Sequence, residues 1–101
     1  MQEGTKANFA QLTEKGVCLV DFNADWCGPC QMMKPVVEAL AQTRPETFIS
    51  VNIDDEEELA EQYGVETIPC IVVFKEGKEI GRTIGVVAGK KLEKLLEKAG
   101  N

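Results

Sequence analysis

Apolar residues form four short stretches that read as β-strands. An almost continuous apolar run over Val17–Phe22 is typical of a strand buried on both faces. Residues Phe48–Ile53 alternate between apolar and polar, which is the period of a half-buried strand. Cys70–Phe74 is apolar throughout, and the turn at Glu76-Gly77 leads into Glu79–Ile84, which we predict as its antiparallel partner.

Two stretches in the first half of the chain have the 3.6-residue period of a helix. Thr5 is a candidate cap for the first, which ends near Gly16. The second extends from Cys27 to Thr43, with Met33, Val36, Val37 and Leu40 on one face. Pro35 lies inside it and should kink the helix axis, because proline lacks a backbone donor.

Two further helices follow in the second half. Asp54-Asp55 is a candidate cap for a short helix that ends near Tyr63 and stops at Gly64. The last helix has an apolar face made of Leu92, Leu95, Leu96 and Ala99. Alternation of helices and strands followed by a hairpin predicts an α/β fold, a mixed sheet with helices on both faces.

Composition narrows the class of protein. The chain has 101 residues, 44% of them hydrophobic, which suits one domain over 1–101. Eleven basic and 17 acidic residues give a net charge of −6, which argues against nucleic acid or an anionic membrane as a partner. The chain has no histidine, so Cys–His nucleophiles and Cys₂His₂ zinc sites are excluded.

The cysteines suggest a reducing compartment. No signal peptide and no apolar run of membrane-spanning length is recognisable, so we expect a cytoplasmic protein without a membrane segment. Four cysteines in such a chain favour catalytic or metal-bound thiols over a disulfide framework.

Cys27 and Cys30 are three positions apart at the start of the second predicted helix. Side chains at this spacing lie about 5–6 Å apart, which a disulfide can bridge. Unpaired amides and the helix dipole should lower the pKa of the Cys27 thiol, while Cys30 lies one turn further from solvent. Gly28 gives a substrate room, and Pro29 stiffens the first turn.

This arrangement predicts thiol–disulfide exchange. Cys27 would attack a substrate disulfide, and Cys30 would then attack Cys27 and release the reduced substrate. The alternatives are half of a zinc site or an inert disulfide. The buried-type strand before the pair and the amphipathic helix after it favour the redox function.

Asp21 interrupts the apolar strand six positions before Cys27. If the carboxyl is buried, its pKa should rise toward neutrality, and it could accept the Cys30 proton. The alternative is a strand end that faces solvent.

Pro69 precedes an apolar strand, where proline is poorly tolerated. A cis Ile68-Pro69 bond in a tight turn would leave the Ile68 backbone free to bind an extended substrate. An ordinary trans proline at a strand start is the alternative, and the pattern does not decide between them.

The other two cysteines lie in predicted strands. Cys18 should pack as a small hydrophobic residue. Cys70 is expected in the core, with a redox-sensitive thiol near the pair as the alternative.

Trp26-Cys27-Gly28-Pro29-Cys30 is identical to the active-site sequence of thioredoxins, and the chain resembles that family over about residues 5–99. Asp21, Pro35, Ile68-Pro69 and Gly85 match further family positions. The resemblance implies the thioredoxin fold, a single mixed sheet of four to five strands flanked by four helices.

It also implies a function: a protein-disulfide reductase and electron carrier in cell redox homeostasis. Cys27 would be the attacking thiol, Cys30 the resolving thiol, Asp21 the proton acceptor and Pro69 the cis-proline. Protein substrates would dock on a surface, here called the docking surface, formed by Trp26, Gly64, Val65, Ile68, Gly85 and Val86. A thioredoxin reductase would supply electrons to a monomer that needs no cofactor or metal.

The chain departs from the family pattern in four places. Asn23 replaces an aromatic residue, and Ser50 replaces a lysine common near the buried acid, so we predict a higher Asp21 pKa than in lysine-bearing relatives. Cys70 replaces a small polar residue after the proline. The N-terminus is short, so the family's first strand is expected to be vestigial or absent.

Three other functions remain possible from sequence alone. A metal or iron–sulfur module would use the cysteines, although Cys18 and Cys70 lack paired-ligand spacing. A non-catalytic binding subunit would use the fold as a scaffold. A glutathione-dependent glutaredoxin is the nearest enzyme alternative, although no feature of the chain specifically requires glutathione.

Overall fold

A computed structural model of the chain describes residues 1–100, which form five strands and four helices. The strands are β1 (Gln2–Glu3), β2 (Val17–Asn23), β3 (Thr47–Asn52), β4 (Cys70–Lys75) and β5 (Lys78–Ile84). The helices are α1 (Phe9–Thr13), α2 (Gly28–Thr43), α3 (Glu57–Gln62) and α4 (Gly89–Gly100). None of these helices is long and apolar enough to cross a membrane.

The strands form one mixed sheet in the order β1-β3-β2-β4-β5. The first three strands are parallel to one another, and β4 runs antiparallel to both β2 and β5. The predicted mixed sheet and its terminal hairpin are therefore confirmed. The strand β1 has two residues, with Gln2 opposite Ile49 and Glu3 opposite Ser50, so the first strand is vestigial as predicted.

Helices cover both faces of the sheet, as the sequence predicted. Alternate residues of each strand point to opposite faces and enter two separate cores. The core beneath α1 and α3 contains Phe9, Cys18, Val20, Phe22, Ile49, Val51, Leu59, Cys70, Val72 and Phe74. The core beneath α2 and α4 contains Leu19, Met33, Val37, Leu40, Phe48, Ile71, Val73, Leu92, Leu96 and Ala99.

One of the two predicted caps differs from the structure. Thr5 lies one turn before α1 and makes the contacts of a cap, since its Oγ1 accepts the Asn8 amide at 3.3 Å and its own amide donates to Asn8 Oδ1 at 2.7 Å; the α-helical residues themselves begin after Asn8. Asp54 and Asp55 do not cap α3, which begins after Glu56. Asn52 Oδ1 accepts their backbone amides at 2.9 and 3.4 Å, so a tight turn occupies the positions predicted as the cap.

The strand directions bring the predicted site residues to one edge of the sheet. Because β2, β3 and β5 run in the same direction, their carboxyl ends meet the amino end of β4 there. The cysteine pair follows β2, Asp54 follows β3, Pro69 precedes β4 and Gly85 follows β5. These four segments therefore meet at one edge of the sheet.

Candidate active site

Cys27 and Cys30 form a disulfide at the start of α2, with their Cα atoms 5.2 Å apart. Cys27 is the N-cap residue, and the backbone N–H of Cys30 donates to Cys27 Sγ at 3.2 Å. Gly28 and Pro29 occupy the first turn, where a missing amide donor costs little. The sulfur of Cys27 therefore lies at the positive end of a 16-residue helix, the position predicted to stabilise a thiolate.

The expected difference in exposure between the two cysteines is not present. Cys27 is 4% exposed and Cys30 is 5% exposed, so both are buried in the disulfide form. They pack with Ala24 against Ile53 and Ile68, which cover the disulfide. The neighbouring Trp26, by contrast, is 70% exposed.

The Ile68-Pro69 peptide bond is cis, and it lies beside the disulfide. The carbonyl oxygen of Ile68 is 3.9 Å from Cys27 Sγ. The carbonyl of Pro69 accepts the Gly85 amide at 2.8 Å, and Gly85 has a φ of 85°, a conformation that favours glycine. The structure thus brings together three segments that are distant in sequence.

The residues predicted for the docking surface lie around this junction. Trp26, Gly64 and Val86 are exposed, while Val65, Ile68 and Gly85 are half-buried. Ile84, which the sequence analysis did not select, is also exposed and immediately precedes Gly85. Sequence reasoning missed it because alternation within a strand does not identify which exposed apolar residue lies near the cysteines.

Asp21 is buried, so the alternative of a solvent-facing strand end is wrong. Burial raises the pKa of its carboxyl to about 6, and a hydrogen bond from Asn23 opposes this to a smaller extent. The Oδ1 atom has no hydrogen-bond partner within the described chain. Asp21 and Cys30 both line a cleft of about 350 Å³.

Two of the departures from the family pattern contact each other next to Asp21. Asn23 Nδ2 donates to Ser50 Oγ at 2.9 Å and to the Asp21 backbone carbonyl at 3.0 Å. Asp21 and Ser50 are also opposite each other in the register of β2 and β3. A neutral pair of side chains therefore lies beside the acid.

Asp54 is a second residue, after Ile84, whose place at the site the sequence analysis missed, since Asp54 was predicted only as a helix cap. Its Oδ2 accepts the indole N–H of Trp26 at 2.9 Å, which orients the exposed ring next to the disulfide. The two residues are 28 positions apart, so no local signal could have paired them.

Cys18 and Cys70 are both free thiols in the core, as predicted. Burial raises the pKa of each thiol. Cys70 belongs to the core beneath α1 and α3 and not to the cluster around the disulfide. Across residues 1–100, no group of three or more His, Cys, Asp or Glu side chains is placed to hold a metal ion.

Comparisons with known proteins agree on one family. The family model described as Thioredoxin matches residues 1–98. The thioredoxin of Chlamydia trachomatis is 44% identical over 99 residues, 97% of each chain. The thioredoxin of Bacillus subtilis is 36% identical over 98 residues, covering 95% of this chain and 94% of its own.

Solved structures show the same relationship. A mutant thioredoxin from Halobacterium salinarum superposes with a TM-score of 0.93 at 33% identity, covering 99% of this chain and 90% of its own. Fasciola hepatica thioredoxin gives a TM-score of 0.90 at 36% identity, covering 98% and 99%. Since one family accounts for nearly the whole length and for the dithiol pair, the chain belongs to the thioredoxin family and is a thiol–disulfide oxidoreductase, a protein-disulfide reductase.

Proposed function

We propose that Cys27 is the attacking thiol and Cys30 the resolving thiol of this reductase. The observation that supports this most directly is the Cys30 amide, which donates to Cys27 Sγ at the start of α2. A hydrogen bond of this kind favours the charged form of its acceptor, as does the positive end of the helix. Cys27 is therefore the sulfur whose thiolate the fold stabilises.

The reaction follows in two exchanges. The Cys27 thiolate attacks one sulfur of a substrate disulfide, and the other substrate sulfur leaves as a thiolate. Cys30 then loses its proton and attacks Cys27 Sγ in the mixed disulfide, so the second substrate sulfur leaves. Two electrons have passed from the dithiol to the substrate, and the Cys27–Cys30 disulfide remains.

Asp21 accepts the Cys30 proton in the second exchange. The cleft that both residues line supports this role, as does a carboxyl pKa of about 6, since a base with a pKa near the working pH can both take and return a proton. Its Oδ1, which has no hydrogen-bond partner among the described residues, receives that proton directly or through water.

Protein substrates bind at the docking surface. An extended segment can hydrogen-bond to the backbone of Ile68 beside the disulfide, as in strand addition. The exposed Trp26 and Val86 supply apolar contact on either side. Gly28 leaves room for a substrate beside the cysteine pair, since a Cβ there would meet nothing within 4 Å among residues 1–100.

The chain acts as a single-domain monomer in the cytoplasm and carries electrons from a thioredoxin reductase to protein disulfides. Its family supports such substrates and such a donor in general terms. The Gly-Pro pair between the cysteines supports the reducing direction, since it is shared with reductants of this family.

Reduction of insulin disulfides, with dithiothreitol as the electron donor, tests this proposal. The wild type should be active, and Cys27→Ser should lose nearly all activity because no thiolate remains to attack. Cys30→Ser should accumulate a mixed disulfide through Cys27, visible by mass spectrometry. Cys18→Ala is the matched control and should stay active; activity retained by Cys27→Ser would rule the proposal out.

A further inference from the structure

The loop 64–69, which contributes three residues to the docking surface, has few hydrogen bonds of its own. Gly64 and Val65 bond back to the end of α3 at 3.1 and 2.9 Å. Within the described chain, the next three residues, 66–68, form no backbone–backbone hydrogen bond. The shape of the loop therefore depends on what holds its two ends.

One side chain on β5 contacts both ends. Arg82 Nη2 donates to the carbonyl oxygen of Tyr63 at 2.8 Å, immediately before the loop. Arg82 Nη1 lies 3.8 Å from Cys70 Sγ, immediately after it. Because both contacts come from one rigid guanidinium, Arg82 links the two ends, in addition to the Gly85 amide that donates to the Pro69 carbonyl at 2.8 Å.

Glu79 in turn holds the guanidinium in place. Its two carboxylate oxygens accept Arg82 Nε and Nη2, each at 2.8 Å. The hydrogen bond from Arg82 lowers the pKa of Glu79, so the pair is ionised at neutral pH. The Arg82 side chain is 25% exposed, which places this paired charge partly out of solvent.

We propose that Arg82 is a positioning residue for the docking surface, clamping both ends of the loop 64–69 so that Val65 and Ile68 are held ready for a protein disulfide. The inference rests on the proposed docking surface and adds the residue that maintains its shape. Among the described residues, the guanidinium of Arg82 bonds to Glu79, Tyr63 and Cys70 and to neither active-site cysteine.

The two buried free thiols allow a direct test in the oxidised protein, where Cys27 and Cys30 are protected. Cys18 is 0% exposed and Cys70 is 1% exposed, so each is alkylated only when its surroundings open. In Arg82→Gln, iodoacetamide should label Cys70 about tenfold faster than in the wild type, since a hydrogen bond from a charged group is lost at that end of the loop. Labelling of Cys18 should not change.

Arg44→Gln is the matched control, because the chain has a second arginine held by a nearby glutamate. Arg44 bonds to Glu46 with two contacts of 3.0 Å and lies after α2, away from the loop. This variant should leave the ratio of Cys70 to Cys18 labelling unchanged. Arg82→Lys keeps the charge but cannot contact both ends at once, so it should behave like Arg82→Gln.

The consequence for docking is a split between kinetic constants. With insulin as the substrate, Arg82→Gln should raise KM about threefold or more, while kcat stays within about twofold. Equal acceleration of both thiols, or of neither, would overturn the proposal, as would selective Cys70 labelling with an unchanged KM. These outcomes are distinct from failure of the proposed function, which the insulin assay would show as activity retained by Cys27→Ser.

Discussion

The environment of Asp21 disfavours the charged form of its carboxyl. It is buried, one oxygen has no hydrogen-bond partner among residues 1–100, and the groups beside it, Asn23 and Ser50, are neutral. The unfolded chain offers the same carboxyl full solvation, so the ionised form is favoured on unfolding. Burial of this acid thus lowers the stability of the folded protein wherever the carboxyl is ionised.

This environment predicts a pH dependence of stability with a definite sign. The pKa of Asp21 rises from 3.8 to about 6 on folding, so between these values the folded state binds more protons than the unfolded state. The contribution of Asp21 to the free energy of unfolding is therefore fully present below about pH 4 and is lost as the pH rises through 6. The total loss should be about 3 kcal/mol, from about two units of pKa shift.

Asp21→Asn should remove that loss. Urea unfolding of the oxidised proteins from pH 4 to 8 should show the stability of the variant increasing relative to wild type by about 2–3 kcal/mol across the range. Other carboxylates contribute equally to both proteins and cancel in the difference. Parallel curves for the two proteins, or a carbon-detected titration that gives Asp21 a pKa near 4, would contradict the raised value.

At the scale of elements, the end of α3 shapes the start of the loop 64–69. Gly64 donates to the Glu61 carbonyl and Val65 to the Ala60 carbonyl, the paired bonds of a Schellman motif. Gly64 has a φ of 63°, the left-handed conformation that this motif requires. The glycine therefore ends the helix and sets the direction in which the loop leaves it.

Replacing this glycine should cost stability through the backbone alone. Gly64→Ala should lower the free energy of unfolding by about 1 kcal/mol, because alanine is strained at positive φ. Within the described part of the chain, a Cβ at Gly64 meets no atom within 4 Å, so steric clash does not contribute. Gly28→Ala is the control for stability, since Gly28 also faces open space but has no positive φ; an equal cost in both variants would refute the argument.

The sequence specified the elements wherever a local pattern is sufficient. The apolar runs predicted β2 and β4, the alternation at Phe48–Ile53 predicted β3, and the end of α3 at Gly64 was correct. The start of α3 was wrong because the side chain of Asn52 accepts the amides of Asp54 and Asp55 and holds both residues in a turn before the helix. The contact of Asp54 with Trp26 and that of Arg82 with Tyr63 join distant segments, so the sequence pattern contained no signal for them.

At the scale of the whole molecule, the N-terminal segment pairs with β3 at one edge of the sheet, and Gly4 lies very close to the side chains of that strand. The Gly4 amide donates to the Ser50 carbonyl at 2.8 Å, which extends the two-residue pairing of β1. A Cβ at Gly4 would lie 2.7 Å from Ile49 Cγ2 and 2.9 Å from Val51 Cγ2. Both contacts involve stiff β-branched side chains of the core, which cannot move aside easily.

Gly4→Ala should therefore destabilise the protein by about 1–3 kcal/mol, the usual cost of overpacking a core. Thermal unfolding should show a lower Tm than that of wild type. Gly100→Ala is the matched control, because a Cβ there meets none of the described residues within 4 Å, and it should leave Tm nearly unchanged. A wild-type Tm for Gly4→Ala would show that the N-terminal segment separates from β3 without cost.

The irregularity in the outer hairpin bears on how the molecule behaves at high concentration. The register of β4 and β5 shifts between Val73 and Phe74, so that Gly81 and Glu79 face them and Ile80 is the extra residue. A bulge of this kind twists an edge strand. The same strand, β5, carries the charged side chains of Lys78, Glu79 and Arg82. Because this edge is twisted and charged, it pairs poorly with a strand from another molecule. The outer edge of the sheet therefore resists the edge-to-edge association that leads to fibrils.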